Sequence, residues 1–569
     1  MWVSSLIVRD VLFVRGSKAI LTLLERQGVE VMFGLPGGTT IPLYDDLIDS
    51  DIRHVLVRHE QCAAHMADGY ARATGRLGVC TSTSGPGSTN MVTGVATAYV
   101  DSSPMLVLTG QVATGAIGNQ SFQEADSFSL MMPITKHNFR ILDPRDIPEA
   151  IKRGAAIATT GRMGPVHIDL PSDVMKEQVP DNVMEQEFPA PPSLEDLSAI
   201  PDAVRILKNA ERPLLLVGGG AIWSNACSEV LRLAEMIMAP VVTTIMAKGA
   251  IPENHPLSLG IIGMHGKECA RQAFVEADVI LAVGTRFSDR SASGQSELPL
   301  STKLIQIDID PGEAGKSPRT QVRLVGDAKK ALTCIINGLQ VQKGESPWTR
   351  RIEEISERCQ CNINIESNPI LPQTLIYELN KHLPEDCIIT TEVGQNQMWA
   401  AHFFQAKYPR QFITSGGFGT MGFGFPASIG AKCAFPDRSV VDIAGDGSIQ
   451  MVFQEFATAV SEDLPVIVVV MNNGWLGMVR QWQKLFFDKR YSGTQLSNNP
   501  DFVKLAQAYG ADGVRVDRSS ELTEAIQRAV NSEVPFVIDA IVDPEEDVLP
   551  MIPPGGGANN IIRGRCKWN

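Results

Sequence analysis

The sequence predicts an α/β fold made of three doubly wound parallel-sheet domains. Short apolar runs, such as 213–217, 279–284 and 304–309, recur along the chain and are separated by segments of helical length. This alternation is typical of parallel sheets that carry helices on both faces. A chain of 569 residues is long enough for several such domains.

Two seams interrupt the alternation and set the predicted domain boundaries. The first, at 188–193, is rich in proline, and the second, at 345–368, is charged and poor in apolar residues. The predicted regions are a first domain at 15–185, a second at 195–345, a third at 368–545 and a C-terminal tail at 546–569.

Composition indicates a globular enzyme that acts on small molecules. Hydrophobic residues make up 44% of the chain, charged residues 20%, and the formal net charge is −14. The negative charge argues against sequence-independent binding to nucleic acid, and strand-length apolar runs argue against a transmembrane segment. Scattered cysteines without paired spacing favour a cytoplasmic protein. Residues 1–14 are interpreted as a loose extension, with a short targeting segment as the alternative.

The most informative motif is Gly445, Asp446 and Gly447, together with the downstream pair Asn472 and Asn473. Both groups follow apolar runs of strand length, and open α/β sheets bind ligands at the carboxyl ends of their strands. Carboxylate and amide oxygens suit Mg²⁺, while glycine lets the backbone approach a phosphate. We therefore predict a magnesium diphosphate site, with ordinary turn residues as the alternative.

Neighbouring residues complete this predicted site. The backbone carbonyl of Trp475 can act as a third metal ligand beside Asp446 and Asn473. A helix start at Ser448 would direct backbone N–H groups towards the phosphates.

In the first domain, Glu60 lies at a predicted junction between a strand and a helix. A carboxylate at such a junction is commonly a helix cap, which is the alternative interpretation. Together with the glycine-rich turn at 83–90, however, this passage resembles the pyrimidine-binding domain of thiamine-diphosphate enzymes.

Over residues 16–560 the chain is most similar to the large subunits of acetolactate synthase, also called acetohydroxyacid synthase. The resemblance implies three domains of the thiamine-diphosphate-enzyme type, for the pyrimidine, FAD and diphosphate. It further implies condensation of two 2-ketoacids, the first common step of valine, leucine and isoleucine biosynthesis. The stretches that carry the resemblance are 33–38, 110–111, 116–118, 122–126, 263–266, 286–290, 419–424, 477–483 and 549–555.

The resemblance also implies catalytic roles. Glu60 would hydrogen-bond the aminopyrimidine ring of thiamine diphosphate and favour its imino tautomer. Arg290 would grip the carboxylate of the second 2-ketoacid, pyruvate or 2-ketobutyrate, and Trp482 would favour the ethyl group of 2-ketobutyrate. The complete catalytic set implied by the family is Glu60, Gly38, Phe122, Gln123, Arg290, Met421 and Trp482.

Cofactor contacts follow from the same resemblance. Those for thiamine diphosphate are Thr83, Pro86, Asn90, Gln123, Val393, Gly394, Gln395, Asn396, Gly419, Met421, Gly445, Gly447, Ser448, Gly477 and Met478, and those for Mg²⁺ are Asp446, Asn473 and Trp475. Those for a structural FAD are Arg153, Gly218, Gly219, Gly220, Thr244, Met246, Met264, His265, Gly284, Thr285, Arg286, Asp308 and Asp327. The family also implies a homodimer or a dimer of dimers, and a small regulatory subunit.

Other activities remain as alternatives. Pyruvate oxidase and non-oxidative 2-ketoacid decarboxylases belong to the same superfamily, but Arg290 and Trp482 argue against both. Glyoxylate carboligase lacks the acid that is present here as Glu60. A catalytically silent paralogue is the alternative from a different class, and the intact residues Glu60, Asp446 and Asn473 argue against it.

Overall fold

The computed structural model describes residues 13–189, 192, 194–288, 290, 298, 301–340, 342–359, 366–553 and 560–564. The chain divides into two compact units. The first unit comprises residues 1–71 and 76–192, and the second comprises residues 72–75 and 193–569. Residues 1–12 of the extension predicted at 1–14, and the tail residues 554–557, lie outside the described residues.

The first unit is built around a six-stranded parallel sheet with the order β3-β2-β4-β5-β7-β6. A short antiparallel pair, β1 with β8, accompanies it. The elements are β1 (Phe13–Arg15), α1 (Gly16–Arg26), β2 (Val31–Leu35), α2 (Ile41–Leu47), β3 (Arg53–Leu56), α3 (Glu60–Thr74), β4 (Gly78–Ser82), α4 (Pro86–Asn90), α5 (Val92–Asp101), β5 (Met105–Gln111), α6 (Ser127–Met131), β6 (His137–Arg140), α7 (Ile147–Thr159), β7 (Pro165–Pro171), β8 (Gln178–Pro180) and α8 (Asp181–Met184).

The second unit contains two further sheets. Its first is parallel and six-stranded, with the order β11-β10-β9-β12-β13-β14. The elements around it are α9 (Ile200–Lys208), β9 (Pro213–Val217), α10 (Gly219–Trp223), α11 (Cys227–Ile237), β10 (Val241–Thr243), β11 (Ser258–Ile261), α12 (Glu268–Glu276), β12 (Val279–Val283), β13 (Lys303–Asp308), β14 (Thr320–Val325), α13 (Ala328–Leu339) and α14 (Pro347–Arg358).

The other sheet of the second unit is also parallel and six-stranded, with the order β16-β15-β17-β18-β20-β19. The elements around it are α15 (Pro372–His382), β15 (Ile388–Thr391), α16 (Gln395–Phe403), β16 (Phe412–Thr414), α17 (Gly424–Ala434), β17 (Val440–Gly445), α18 (Asp446–Ile449), α19 (Phe456–Ser461), β18 (Ile467–Asn472), α20 (Gly477–Phe486), α21 (Phe502–Ala508), β19 (Asp512–Val516), α22 (Leu522–Val530) and β20 (Phe536–Ile541).

These three parallel sheets confirm the predicted fold class, although the exact domain boundaries stay a prediction. The first and third sheets share one strand order, which starts at an edge with the second strand of the sheet and continues with the first, third, fourth, sixth and fifth. Each six-stranded sheet has a reversal of strand order near its middle, between β2 and β4, between β9 and β12, and between β15 and β17. The carboxyl ends of the strands at such a reversal form the crevice in which doubly wound sheets bind ligands.

Burial explains why the strands read as continuous apolar runs. All five residues of β9 and of β12 are buried, because helices cover both faces of their sheet. Separate hydrophobic clusters fill the two sides, one with Leu215 and Leu281 and the other with Leu214 and Ile280.

Two segments are more regular than their sequences indicate. The predicted seam at 345–368 contains α14, whose residues Trp348, Ile352 and Ile355 recur at helical spacing and pack into a hydrophobic cluster. The many charges on the opposite face of α14 conceal this stripe in the sequence. At the N-terminus, Val14 belongs to a strand, β1, and pairs with Val179 instead of forming a loose extension.

Candidate functional site

The predicted metal ligands of the second unit lie at the ends of two adjacent strands. Asp446 directly follows β17, Asn473 directly follows β18, and these strands pair in parallel. The Asp446 side chain is buried, and its Oδ2 accepts hydrogen bonds from the backbone N–H of Gly474 at 2.9 Å and from Nδ2 of Asn499 at 2.6 Å. Burial raises the pKa of Asp446 to about 6. A cation at this site would favour the charged form.

Asn473 connects the ends of β15 and β18. Its Nδ2 donates to Oε1 of Gln395, at the start of α16, over 3.3 Å, while its Oδ1 accepts from the backbone N–H of Trp475 at 2.9 Å. A methyl group added to Gly477 would lie 2.1 Å from Gln395 Oε1, so a larger residue there would displace the Gln395 side chain. Three segments predicted to bind the diphosphate therefore meet at one edge of the sheet.

The turn after β17, residues 445–448, is a fourth segment at this edge, and it lies next to α16. Asn396 donates from Nδ2 to the backbone carbonyl of Ile443 at 2.8 Å. Its Oδ1 would lie 3.2 Å from a methyl group added to Gly445. Gly445 and Ser448 close the turn after β17 through hydrogen bonds of 3.2 Å and 3.1 Å. The helix predicted from Ser448 differs in register, because the four-residue α18 already begins at Asp446.

The loop between β16 and α17 places Met421 beside this turn. The Cε of Met421 would lie 3.9 Å from a methyl group added to Gly447. Gly419 has a φ of +72°, a left-handed conformation that favours glycine. Val393 and Gly394 lie between β15 and α16, and Met478 lies in the first turn of α20.

The donor set of this edge suits a hard cation held jointly by protein and phosphate. Within the described ranges, no group of three or more His, Cys, Asp or Glu side chains is arranged to hold a metal ion. The available ligands are thus one buried carboxylate, an amide oxygen and backbone carbonyls such as that of Trp475. Mg²⁺ commonly binds through one or two carboxylates and completes its shell with phosphate and water.

In the first unit, Glu60 is the first residue of α3 and its side chain is buried. Its Oε2 accepts a hydrogen bond from Nδ2 of Asn90 at 2.9 Å. The backbone N–H of Gln61 donates to Nδ1 of His59 at 3.2 Å, so His59 satisfies a donor at this helix end. Glu60 and Asn90, both predicted pyrimidine contacts, are therefore brought together.

The turns after β2 and β4 pack against each other beside Glu60. A methyl group added to Gly37 would collide with the Thr83 side chain at 2.4 Å, whereas Gly38 has open space around its Cα. A methyl group added to Gly85 would lie 2.7 Å from the Gln123 carbonyl. Close approach of the Thr83 side chain at Gly37 and of the Gln123 backbone at Gly85 thus accounts for two of these glycines, and Gly38 stays accessible.

Phe122 and Gln123 are consecutive residues of the segment between β5 and α6. The Phe122 ring is 88% exposed, although it is a large apolar side chain. Gln123 has a φ of +57°, which is uncommon for a residue other than glycine. Pro86 is exposed at the start of α4. An exposed aromatic ring on a strained turn is typical of a binding surface.

Most residues predicted to bind FAD surround the reversal point of the sheet that contains β9 and β12. The turns after these two strands are in contact. A methyl group added to Gly218 would lie 2.2 Å from the carbonyl oxygen of Gly284, and a methyl group added to Gly220 would lie 2.8 Å from the Cα of Gly284. Predicted residues at or near carboxyl ends of strands in this sheet are Gly218, Gly219, Gly220, Thr244, Met246, Met264, His265, Gly284, Thr285, Arg286 and Asp308.

Two orphaned polar atoms mark this edge as suited to a polar ligand. Neither Nδ1 of His265 nor Oγ1 of Thr243 has a hydrogen-bond partner within the described part of the chain, and both are buried. Burial lowers the pKa of His265 to about 4, so its ring is neutral near pH 7.

Two members of the FAD set have structural partners instead. Asp327 caps α13 by accepting from the backbone N–H of Lys330 at 2.9 Å, and it also accepts from the Ser224 hydroxyl at 2.6 Å. Arg153 lies on α7 in the first unit and pairs with Glu149 one turn earlier. Neither geometry supports a ligand contact directly.

The predicted acceptor residues lie in two parts of the second unit. The Arg290 guanidinium approaches Sδ of Met264 at 3.0 Å. Trp482 lies on α20, packs edge to face against Phe486 at 6.3 Å, and its buried Nε1 has no partner in the portion that the structure describes.

Sequence reasoning missed two polar residues that organise the diphosphate edge. Asn499 donates from Nδ2 to both Asp446 and Asn472, and no motif in its polar surroundings singles it out. Glu392 accepts backbone hydrogen bonds from Gly422 and Phe425. Its position directly after β15 was an available signal, because acidic residues at strand ends often face ligands.

Throughout the described residues, no helix combines the length and apolarity needed to cross a bilayer.

Three family models match this chain, and each match falls on the part of the chain that forms one of the three parallel sheets. The profile described as "Thiamine pyrophosphate enzyme, N-terminal TPP binding domain" matches residues 14–130. The central-domain profile of the same enzymes matches 200–335, and the C-terminal TPP binding domain profile matches 392–540. The chain therefore belongs to the thiamine pyrophosphate enzymes and binds thiamine diphosphate.

Individual relatives narrow the class. The "Probable acetolactate synthase large subunit" of Methanocaldococcus jannaschii is 48% identical over 565 residues, covering 96% of this chain and 95% of that protein. The acetolactate synthase large subunit of Corynebacterium glutamicum is 43% identical, over 96% of this chain and 90% of that protein. The acetolactate synthase isozyme 3 large subunit of Escherichia coli K12 is 41% identical, covering 96% of this chain and 98% of that protein. The chain belongs to the acetolactate synthase large subunits, thiamine-dependent transferases of branched-chain amino acid biosynthesis.

Proposed function

We propose that this chain joins pyruvate to a second 2-ketoacid, pyruvate or 2-ketobutyrate, with Mg²⁺ and FAD bound beside thiamine diphosphate. The observation that carries the proposal is the cluster of Asp446, Asn473, Gln395 and Met421 where the third sheet reverses its strand order. When bound, thiamine diphosphate supplies a ring that stabilises the negative charge left by loss of carbon dioxide.

The chain's own residues prepare the cofactor at two places. Asp446 and Asn473, with the Trp475 carbonyl, would hold Mg²⁺, which would offset the negative charge of the diphosphate. Gly445 and Gly447 keep the backbone close to it. Glu60, oriented by the hydrogen bond from Asn90, holds a proton shared with the pyrimidine ring.

Selection of the second substrate depends on Arg290 and Trp482. The guanidinium can bind a carboxylate through two parallel hydrogen bonds. The indole of Trp482 adds an apolar wall for the alkyl group of that substrate. Gly38, Phe122 and Gln123 line the pyrimidine side, and the exposure of Phe122 supports a role in contacting a ligand or a second chain.

FAD and partner chains complete the proposal. The unpartnered polar atoms of His265 and Thr243 support a polar ligand at the reversal point between β9 and β12. Acetolactate formation involves no net redox change, so the flavin has a structural role. A homodimer or dimer of dimers, a small regulatory subunit and a cytoplasmic location are proposed from the family and the scattered cysteines.

Omission of single cofactors tests this assignment. Protein dialysed against chelator should form acetolactate from pyruvate only when thiamine diphosphate and Mg²⁺ are both restored. It should retain the yellow colour of bound flavin. Full activity in protein without Mg²⁺, or in colourless protein without added FAD, would contradict the respective part of the proposal.

The acceptor pocket gives a quantitative prediction. In Trp482→Leu, the preference for 2-ketobutyrate over pyruvate should fall by roughly 10-fold, because one methylene contributes only about 1–3 kcal/mol of discrimination. Competition between the two acceptors, followed by product analysis, measures this ratio. The exposed Phe487→Leu on the same segment is the matched control, and an equal shift in both variants would remove Trp482 from the pocket.

The contact between the turns after β9 and β12 gives a further prediction, which concerns the flavin content. Gly218→Ala should lower the flavin content of purified protein severalfold, because the added methyl group would lie 2.2 Å from the Gly284 carbonyl and force the turns apart. Absorbance near the flavin band, relative to protein, measures the loss. Gly344→Ala has no atom within 4 Å of its added methyl group and should keep its flavin. Equal flavin content in both variants would contradict the assigned site.

A further inference from the structure

Glu392 joins two segments that are proposed to contact the cofactor. It follows β15, directly precedes Val393, and is fully buried. Its Oε2 accepts the backbone N–H of Gly422 at 2.5 Å, and its Oε1 accepts that of Phe425 at 3.1 Å. One carboxylate thereby ties the end of β15 to the loop between β16 and α17, which carries Gly419 and Met421.

The loop between β16 and α17 needs such anchors to keep its shape. Gly419 and Gly422 both adopt positive φ values, +72° and +85°. The Ser415 hydroxyl accepts the backbone N–H groups of Gly419 and Thr420, each at 3.1 Å. Ser415 thus holds the residues before Met421, and Glu392 holds those after it.

A second buried carboxyl group, that of Asp442, interacts electrostatically with Glu392. Asp442 on β17 is fully buried, and its Oδ1 accepts from the Thr390 hydroxyl at 3.1 Å. Its Oδ2 has no hydrogen-bond partner among the residues that the structure describes. Burial and the nearby Glu392 raise the pKa of Asp442 well above its usual range. Burial also raises the pKa of Glu392, but its backbone donors oppose that shift. Both oxygens of Glu392 accept backbone N–H groups, so Glu392 is the better placed of the two acids to carry a negative charge.

We propose that Glu392 is a positioning residue, whose carboxylate fixes the 419–422 segment so that the Gly419 carbonyl and the Met421 side chain meet the pyrimidine ring. The inference rests on the proposed function, since these two contacts exist only if the cofactor binds at this edge. Removing a charged acceptor leaves buried N–H groups unsatisfied, and the segment must move to recover partners. Glu392 is fully buried and both of its oxygens accept backbone N–H groups, so its loss should affect cofactor activation and spare pyruvate binding.

The test measures cofactor activation directly in Glu392→Gln. In enzyme loaded with thiamine diphosphate and Mg²⁺, the exchange of the thiazolium C2 proton for deuterium is followed by acid quenching and NMR. Because a displacement of about 1 Å can cost roughly 100-fold in rate, we expect exchange and kcat to fall on the order of 10- to 100-fold, with KM for pyruvate changed less than about 3-fold. Glu392→Asp keeps the carboxylate, so its exchange rate and kcat should lie between those of the wild type and those of Glu392→Gln.

Glu455→Gln is the matched control. Glu455 is another fully buried glutamate near the same sheet, and it accepts from the Thr458 hydroxyl at 2.7 Å. It should lose stability without slowing C2 exchange. Wild-type exchange rates in Glu392→Gln, or in Glu392→Asp if the glutamine variant does not fold, would overturn the inference. Absence of exchange in the wild-type enzyme would instead overturn the proposed function.

Discussion

Glu60→Gln is expected to lower acetolactate formation on the order of 100- to 1,000-fold, because positioned proton transfer commonly contributes that much to a rate. Glutamine retains the size of Glu60 and can still meet Nδ2 of Asn90 through its carbonyl oxygen. It can no longer hold a proton for the pyrimidine ring. Initial rates at saturating cofactor measure the loss, and titration with thiamine diphosphate checks that binding persists.

The control for this variant is Glu30→Gln in the same unit. Glu30 is exposed and pairs with Arg76 at 2.8 Å, so its charge is solvated and remote from the glycine-rich turns. Its activity should equal that of the wild type. A Glu60→Gln enzyme with more than about a third of wild-type activity would show that the carboxylate has only the capping role common at helix starts.

Asp446→Asn is expected to weaken apparent Mg²⁺ binding by at least about 100-fold, which exceeds the upper range for the loss of an indirect partner of a metal. Activity at low Mg²⁺ should disappear and return only partly at high Mg²⁺. Titration of activity with Mg²⁺ at fixed thiamine diphosphate measures the change. The exposed Asp437→Asn, in the turn before β17, is the matched control.

Thermal unfolding distinguishes a lost ligand from a damaged fold in this variant. Burial raises the pKa of Asp446 to about 6, so its charged form is costly in the metal-free protein at pH 7. Asparagine removes that cost, and the metal-free variant should melt no lower than the wild type. A large loss of stability with unchanged Mg²⁺ dependence would assign Asp446 a structural role only.

The strand-end motifs could be predicted because their signals are local. The runs before Asp446 and Asn473 are apolar and of strand length, and parallel strands place their carboxyl ends along one edge. Glycines at Gly445 and Gly477 mark the close approaches that the structure contains. These patterns indicate a magnesium diphosphate, whereas the thiamine part of the ligand follows only from the resemblance to a family.

Other features depend on contacts between distant segments. Asn499 reaches Asp446 across 53 positions of sequence, and Glu392 reaches Gly422 across 30. Neither contact is accompanied by a periodic sequence pattern that could predict it. Helix α14 was missed because its apolar stripe of Trp348, Ile352 and Ile355 is narrow and surrounded by charge. Asp327, predicted to bind FAD, also caps α13, a local role that the prediction did not include.

The most direct test of the central claim is product identification with the wild-type chain and Glu60→Gln in parallel. The reaction contains thiamine diphosphate, Mg²⁺ and FAD, with pyruvate alone or with 2-ketobutyrate. We expect acetolactate from pyruvate, a larger share of acetohydroxybutyrate when both acceptors are present, and near loss of both products in the variant. Acetaldehyde, or acetate with peroxide, as the main wild-type product would contradict the condensation assigned to Arg290 and Trp482.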